Sequence, residues 1–448
     1  MQKSIELNPS DFQNHIISYL KKEKNTILRH ALSKTSIEDI VYSKDNFSKT
    51  NFAFSHTIKT LPVTNQKKSG RCWIFAALNV LREIIAKKLN LKEFELSQSY
   101  ISLFDKLEKI NYELEAIIDL IDKDYDDRTL CHILQNTISD GGQWDMFVSL
   151  VKKYGIVPKN VFDESFTSSD TAHMTKLIKV NLRKFASFAH EMYEKEKNLD
   201  KIREEKNKLL EKIYDLMLDL YGIPPNNFDF EYLDKDDNYH IEQNYTPKTF
   251  FEKYIGNEID EYISLIHAPT KSKKYMTSYT IQYLGNVVGG KTVKHLNLPM
   301  ERIITLILSQ LKDNEIVWFG ADVSFYRNRT QGHWDDQNYD YETPFGLSFD
   351  YDKGECLDYG ISAMNHAMCI TGVDLKNDVP LKWKIENSWG SEKGYKGYYF
   401  MSDSWFRKYT YQAVVKRKYL TQDEQNSYDQ DPVVLKPWDP MGSLAYLE

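Results

Sequence analysis

The spacing of apolar residues predicts helices in the first half of the chain. A strongly apolar helix is predicted over residues 73–86, and its buried stripe comprises Ile74, Leu78, Leu81 and Ile85. The glycine turn at 141–142 opens another predicted helix, which stops near Gly155. Residues 171–221 are rich in lysine and glutamate and poor in glycine and proline, a pattern that predicts two or more exposed helices.

The pattern of apolar residues changes after Pro299. One further helical patch is followed by short apolar or aromatic runs, each bounded by glycine and polar residues. Such runs are typical of β-strands. Strands are therefore predicted at 316–319, 367–373, 381–385 and 398–401.

Composition and charge restrict the class of protein. The 448 residues are 41% hydrophobic and 27% charged, which is ordinary for a globular protein and too apolar for a disordered one. We expect no secretory signal and no membrane-spanning segment, because neither the start nor any later stretch is sufficiently apolar, and hence a cytoplasmic location. The net charge of −7 disfavours non-specific binding of nucleic acid or anionic lipid by the whole surface, although a local basic patch remains possible.

The four cysteines draw attention to Cys72. None of the four stands in a Cys-x-x-Cys pair, which argues against a disulfide framework and against a zinc site. Cys72 follows Gly70 at the start of the predicted helix, where backbone N–H groups that point outward lower the pKa of a thiol. Taken alone, Cys72 is compatible with either a nucleophile or a small buried apolar residue.

Three other residues favour the nucleophile. Gln66 precedes Cys72 by six positions, and its amide can join the backbone N–H of Cys72 in an oxyanion hole. His366 opens one predicted strand and Asn387 closes the next, so antiparallel pairing would bring the two side chains together.

These residues lie in motifs that resemble the papain-like cysteine proteases: Gln-x5-Cys-Trp at 66–73, Asn-His-Ala at 365–367 and Glu-Asn-Ser-Trp-Gly at 386–390. Further motifs resemble the bleomycin hydrolase and aminopeptidase C family, namely Ser-Gly-Arg-Cys-Trp at 69–73, Gly-Gly-Gln-Trp-Asp at 141–145, Val-Trp-Phe-Gly at 317–320 and Trp-Asp-Pro-Met-Gly at 438–442. The resemblance covers nearly the whole chain. It implies an α+β, papain-like two-lobed fold, with a helical lobe, a β-rich lobe and helical insertions.

The same resemblance suggests a division of the chain into five parts. We predict an N-terminal arm (1–60), a helical lobe with the nucleophile (61–165), a mainly helical insertion (166–298), a β-rich lobe with the histidine and asparagine (299–436), and a C-terminal tail in the active-site cleft (437–448).

The resemblance also implies roles for individual residues. Cys72 would be the nucleophile, His366 the general base and then acid, and Asn387 the partner that orients the imidazole. Gln66 would donate to the oxyanion, and Trp389 would shield the contact between His366 and Asn387 from water. The implied activity is removal of N-terminal residues from peptide substrates through a thioester acyl-enzyme, without a cofactor or metal.

Two further implications concern assembly and the C-terminal tail. The family forms a ring-shaped homohexamer whose active sites face a central channel. Its tail lies in the cleft and offers a carboxylate to the substrate's α-amino group, which here would involve Leu444, Ala445 and Glu448. The family's tail usually stops near the Leu-Ala pair, whereas this chain continues to Glu448. This departure leaves a papain-like endopeptidase open as an alternative, and basic surfaces gathered in an oligomer's channel leave nucleic-acid binding open.

One other motif belongs to a different class of protein. Gly285 and Gly290-Lys291-Thr292 match Gly-x4-Gly-Lys-Thr, the phosphate-binding loop. A working loop of this kind needs a helix directly after the threonine. The segment from Val293 to Pro299 is too short for such a helix, so the sequence disfavours nucleotide binding.

Overall fold

The computed structural model describes residues 5–43, 51–328 and 330–444. Contacts divide the chain into two compact units, one comprising Met1–Asn51 and Asp335–Tyr351, the other Phe52–Trp334 and Asp352–Glu448. The α-helices of the described residues are Pro9–Leu20, Glu23–Leu32, Ile37–Val41, Cys72–Leu89, Gln98–Asp119, Arg128–Gln135, Trp144–Tyr154, Phe166–Ser169, Ala172–Glu196, Leu199–Tyr221, Pro247–Tyr254, Met300–Lys312, Glu342–Phe345, Lys353–Asp358, Asp403–Tyr409 and Gln422–Asp429.

The smaller unit contains short helices, and local hydrogen bonds cap the first of them. The side chain of Asn8 accepts a hydrogen bond from the N–H of Ser10 and caps the first helix, which has Pro9 at its start. Further along, the N–H of Ser43 donates to the carbonyl oxygen of Asn338 at 2.7 Å. This bond ties the two segments of the unit to each other.

The Cys72–Leu89 helix lies in the core of the larger unit. Trp73, Ile74, Leu78, Leu81 and Ile85 are all buried, as the predicted apolar stripe requires. The helix ends at Asn90 in the left-handed conformation, a common way to stop a helix. The other helices predicted in the first half of the chain are likewise present.

The strands of the described residues are β1 (His56–Thr57), β2 (Phe228–Leu233), β3 (Tyr239–Tyr245), β4 (Tyr262–Ile266), β5 (Thr277–Ile281), β6 (His295–Asn297), β7 (Val317–Ala321), β8 (Arg327–Asn328), β9 (His333–Trp334), β10 (His366–Lys376), β11 (Val379–Glu386), β12 (Tyr398–Ser402), β13 (Thr410–Lys416) and β14 (Val433–Leu435). β2 and β3 form a separate hairpin, and the others form one sheet in the order β14-β5-β6-β4-β13-β7-β10-β11-β12-β9-β8, with β1 on β10. The four strands predicted from the sequence are β7, β10, β11 and β12, and they are neighbours in this sheet.

Strand β10 occupies the middle of the sheet. It pairs antiparallel with β7 on one side and with β11 on the other, and His366 is opposite Ala321 of β7. Cys369 is opposite Glu386, the last residue of β11. The start of β10 and the end of β11 therefore lie side by side at the same end of the two strands, as the predicted antiparallel pairing requires.

The stretch 166–298 contributes both helices and strands. The predicted exposed helices are the long pair Ala172–Glu196 and Leu199–Tyr221. In addition, β4, β5 and β6 join the main sheet. These strands were not among those predicted from the sequence. After Thr292 the next element is the short strand β6 rather than a helix, so the geometry of a phosphate-binding loop is not formed.

None of the helices in the described part of the chain combines the length and the apolar character needed to cross a bilayer. Likewise, the described residues contain no group of three or more histidine, cysteine or acidic side chains arranged to hold a metal ion.

Candidate active site

The thiol of Cys72 is buried at the first turn of its helix. The backbone N–H groups of Ala367, Trp73 and Cys72 itself lie near the sulfur and lower the pKa of the thiol. Ala367 is the residue that follows His366 on β10. The structure thus brings the nucleophile candidate from the helix against the strand that carries the histidine candidate.

The turn before Cys72 is fixed by Asp140. Its carboxylate accepts a hydrogen bond from the N–H of Gly70 at 2.9 Å and also binds Lys106 and Thr171. Burial raises the pKa of Asp140, but the Lys106 ammonium and these hydrogen bonds outweigh it and hold the pKa well below its usual range. A carboxylate that stays ionised keeps the entry to the Cys72 helix in one conformation.

Trp73 and Gly142 connect the Cys72 helix to the neighbouring loop. The indole N–H of Trp73 donates to the carbonyl oxygen of Asp140 at 2.6 Å. Gly142 lies against the face of the indole so closely that a Cβ there would be 2.4 Å from a ring carbon. Glycine is required at 142 because any larger residue would displace Trp73 and, with it, the start of the helix.

His366, Asn387 and Trp389 form one compact group. The Nε2 atom of His366 and the Oδ1 atom of Asn387 are 2.9 Å apart, and both side chains are buried. The ring of Trp389 stacks on the imidazole with 4.9 Å between centroids and 27° between planes. With Nε2 bound to Asn387, Nδ1 is the imidazole nitrogen that can exchange a proton with a thiol.

Gln66 is completely buried and its amide is held at both ends. Nε2 donates to the carbonyl oxygen of Ser69 at 2.6 Å, and Oε1 accepts from the hydroxyl of Ser388, also at 2.6 Å. The backbone N–H of Gln66 donates to the carbonyl oxygen of Ser388. Gln66 is therefore locked between the turn that leads to Cys72 and the segment that carries Asn387.

The electrostatics of Cys72 explain why its thiolate needs a cation. Burial raises the pKa of Cys72 to about 12, although the N–H groups of Ala367, Trp73 and Cys72 lower it, and the Asp140 carboxylate raises it further. The increase in pKa caused by desolvation of the thiolate is thus larger than the decrease caused by the N–H groups at the helix N-terminus. A thiolate at this position would need a nearby cation, and an imidazolium is the usual one beside a reactive cysteine.

An ion pair that the sequence analysis missed lies behind these residues. Arg82, on the third turn of the Cys72 helix, contacts the carboxylate of Glu386 at 2.6 Å, and both side chains are at most 2% exposed. Asn79 also donates to this carboxylate at 3.0 Å. One signal was present in the sequence, since Arg82 lies directly after the buried-stripe residue Leu81 of a strongly apolar helix.

The described part of the tail is anchored at several points. Arg128 stacks on Trp438 at 3.8 Å, and Asp439 pairs with Lys273 at 3.1 Å. Met441 is 2% exposed and lines a small apolar cavity with Ala268, Leu357, Met364 and Tyr411. At the end of the described tail, Nε2 of Gln143 donates to the carbonyl oxygen of Ser443.

The tail borders a cleft of about 750 Å³. Its lining includes Leu444 from the tail, Asn365 beside His366, and Glu113 and Lys179 from the helical part of the unit. Of the tail residues predicted to meet the substrate's amino group, Leu444 is placed at this cleft. Ala445 and Glu448 lie outside the described residues.

Comparison with known proteins places the chain in a family. Residues 6–442 match the Peptidase C1-like family. The chain belongs to this family. It is 46% identical to aminopeptidase C of Lactobacillus delbrueckii subsp. lactis over 88% of each chain. It is 42% identical to aminopeptidase C of Streptococcus thermophilus, and the match covers 97% of this chain and 98% of the relative. Human bleomycin hydrolase is 36% identical, and the match covers 96% of this chain and 97% of the relative.

A solved structure agrees with this membership. The crystal structure of PepW from Lactobacillus rhamnosis HN001 superposes with a TM-score of 0.95 at 42% identity, covering 99% of this chain and 100% of that one. The family predicted from the motifs is confirmed, and so is the α+β papain-like fold. For a Peptidase C1-like chain, the juxtaposition of Cys72, His366 and Asn387 is the feature on which a mechanism can be built.

Proposed function

We propose that this chain is a cysteine aminopeptidase that removes N-terminal residues from peptides through a thioester acyl-enzyme. The observation that carries the proposal is the arrangement of three side chains: the N–H of Ala367 lies near the Cys72 sulfur, and His366, the residue before Ala367, is held by Asn387 at 2.9 Å. Two relatives that match nearly the whole chain are named aminopeptidase C and bleomycin hydrolase.

In the first half of the reaction the Cys72 thiol passes its proton to Nδ1 of His366. The thiolate attacks the carbonyl carbon of the N-terminal residue, and the negative charge moves to the carbonyl oxygen. Gln66 and the backbone N–H of Cys72 donate hydrogen bonds to this oxyanion. As the C–N bond breaks, His366 returns the proton to the leaving amine, and the thioester remains on Cys72.

In the second half, water hydrolyses the thioester. His366 takes a proton from the water, the hydroxide attacks the carbonyl carbon, and the tetrahedral intermediate collapses to a carboxylic acid. The proton returns to the Cys72 sulfur, so the enzyme ends the cycle unchanged. Asn387 keeps the imidazole in one orientation throughout, and Trp389 covers the polar contact against water.

We propose that the tail makes this enzyme an exopeptidase. The tail is anchored at Met441 and Ser443, and Leu444 lines the same cleft as Asn365, the neighbour of His366. A tail in this position would occupy the space that residues before the scissile bond need in an endopeptidase. A terminal carboxylate near this point would pair with the substrate's α-ammonium group. We propose the tail residues Leu444, Ala445 and Glu448 for this recognition, a cytoplasmic location and a homohexameric assembly.

The test uses peptides in matched pairs, one with a free and one with an acetylated amino terminus. Mass spectrometry should find single residues released from the free peptide by the wild type, no cleavage of the acetylated peptide, and no cleavage of either by Cys72→Ala. The same variant should lose labelling by a thiol-directed inhibitor while its circular dichroism spectrum is retained. Turnover by Cys72→Ala would overturn the assignment of the nucleophile.

The same experiment decides between exopeptidase and endopeptidase. Internal cleavage of the acetylated peptide by the full-length chain would show that the tail leaves the cleft open, whereas internal cleavage only after truncation behind Gly442 would support the tail's blocking role. Sedimentation equilibrium tests the hexamer. Nucleic-acid binding, the remaining hypothesis, requires salt-dependent binding that survives Cys72→Ala, and its absence at low salt would remove it.

A further inference from the structure

Gln143 occupies an unusual position between the nucleophile and the tail. It follows Gly142, whose backbone is pressed against Trp73, the residue next to Cys72. Its own side chain is 1% exposed and donates from Nε2 to the carbonyl oxygen of Ser443. A single glutamine thus contacts the tail from a loop that is fixed relative to Cys72.

The hydrogen bonding of Gln143 indicates that its side chain serves the tail. Within the described residues, the bond to Ser443 is the one hydrogen bond that this side chain makes, and its Oε1 atom is buried without a partner. Burial of an unpaired amide oxygen is unfavourable, and an apolar residue of similar shape would avoid the cost. The structure of the loop itself therefore gives no reason for a glutamine, whereas the tail does.

The other anchors act further from the end of the tail. Asp439 pairs with Lys273, Trp438 lies under Arg128, and Met441 is buried. These contacts fix the path of the tail up to Gly442. Ser443 is the last described residue with an anchor, and Leu444 beyond it lines the cleft.

We propose that Gln143 is a specificity-determining residue that sets how far the tail reaches into the cleft, and so how many substrate residues fit before Cys72. The inference rests on the proposed aminopeptidase function. On this proposal the hydrogen bond from Gln143 holds Ser443, and with it Leu444, at the cleft, so that one residue is released at a time. Without the hydrogen bond, Ser443 and Leu444 can move, and longer N-terminal segments can bind.

The experiment compares Gln143→Ala and Gln143→Glu with the wild type, using a free pentapeptide, its acetylated form and mass spectrometry of the products. Glutamate retains the length of the side chain but replaces the Nε2 donor by a carboxylate oxygen. Both variants should release dipeptides in addition to single residues, and KM for the free peptide should rise about 2- to 10-fold, as expected for one lost hydrogen bond, while kcat changes less. Gln243→Ala, which alters an exposed glutamine on the separate β2–β3 hairpin, should leave the product pattern unchanged.

A second background separates action through the tail from a structural effect on Trp73. Truncation behind Gly442 removes the Ser443 carbonyl group, so Gln143→Ala should cause no further change in the truncated enzyme. An equal loss of activity in both backgrounds, or single-residue release by both full-length variants at the wild-type KM, would overturn the proposal. If the wild type itself releases no single residues, the proposed function fails instead, so the two failures are distinguishable.

Discussion

Arg82 and Glu386 form a buried ion pair between the two elements that carry the catalytic candidates. Arg82 belongs to the helix that begins at Cys72, and Glu386 ends strand β11, one residue before Asn387. Nη2 and Oε1 are 2.6 Å apart. This contact links the backbone that positions the thiol to the backbone that positions the imidazole partner.

Removal of one member of this pair should be costly. Arg82→Ala leaves the Glu386 carboxylate buried without its cation, which destabilises proteins by about 3–5 kcal/mol in comparable cases. Urea unfolding at pH 7 measures the loss. Lys195→Ala serves as the control, because it breaks an exposed pair with Glu191 and should have no measurable effect. Equal unfolding midpoints for the two variants would contradict the structural importance of the buried pair.

His366 and Asn387 should differ in their effect on the rate. His366→Ala removes the group that we propose as general base and acid, and general acid–base catalysis of this kind contributes about 10²–10⁴-fold. Asn387→Ala leaves the imidazole in place but allows it to rotate, so the fall in kcat should be smaller. Steady-state kinetics on an aminoacyl substrate check the order, and a larger loss in the asparagine variant would contradict it.

Gln66→Ala tests the oxyanion hole separately from the nucleophile. Loss of one oxyanion donor typically lowers kcat by about 10²–10³-fold, and KM should change little, because the bond strengthens only when negative charge develops. Labelling of Cys72 by an alkylating reagent should persist, since alkylation forms no oxyanion. If labelling and turnover fall together, Gln66 acts on the position of Cys72 rather than on the transition state.

Glu113 should make stability depend on pH. Burial raises the pKa of Glu113 to about 7, although the N–H of Ile138 and the charges of Lys179 and Arg183 lower it. The folded state therefore holds a proton that the unfolded state releases at lower pH, and this stabilising contribution is lost as pH rises toward and through 7. From pH 5 to pH 8 the free energy of unfolding of the wild type should fall by about 2.5 kcal/mol relative to that of Glu113→Gln. Parallel pH profiles of urea unfolding for the two proteins would contradict this.

Local pattern was sufficient to predict much of the fold. The apolar stripe from Ile74 to Ile85 predicts the helix at Cys72 because helical periodicity depends only on neighbours in the sequence. The apolar runs that form β7, β10, β11 and β12 can likewise be recognised from neighbouring residues alone. The family motifs then supplied the pairing of His366 with Asn387, which periodicity alone leaves as one possibility among several.

Contacts between distant segments were not predictable in this way. Strands β4, β5 and β6 are only three to five residues long and join a sheet whose other members lie far along the chain. The bond from Gln143 to Ser443 depends on where the tail folds back, and nothing local to either residue indicates it. The sequence shows Arg82 beside the buried stripe of its helix, with Glu83 as its nearest acidic neighbour, but its partner Glu386 could not be identified without the tertiary structure.

The long interval between Cys72 and His366 has a consequence for the biosynthesis of the enzyme. The nucleophile leaves the ribosome early, whereas β10, β11 and finally the tail follow much later. The proposed proton acceptor His366 begins β10, and its partner Asn387 directly follows β11, so a chain that has emerged only as far as its helical part lacks both groups. On the proposed mechanism, proteolytic activity therefore requires these late strands and is completed near the end of translation.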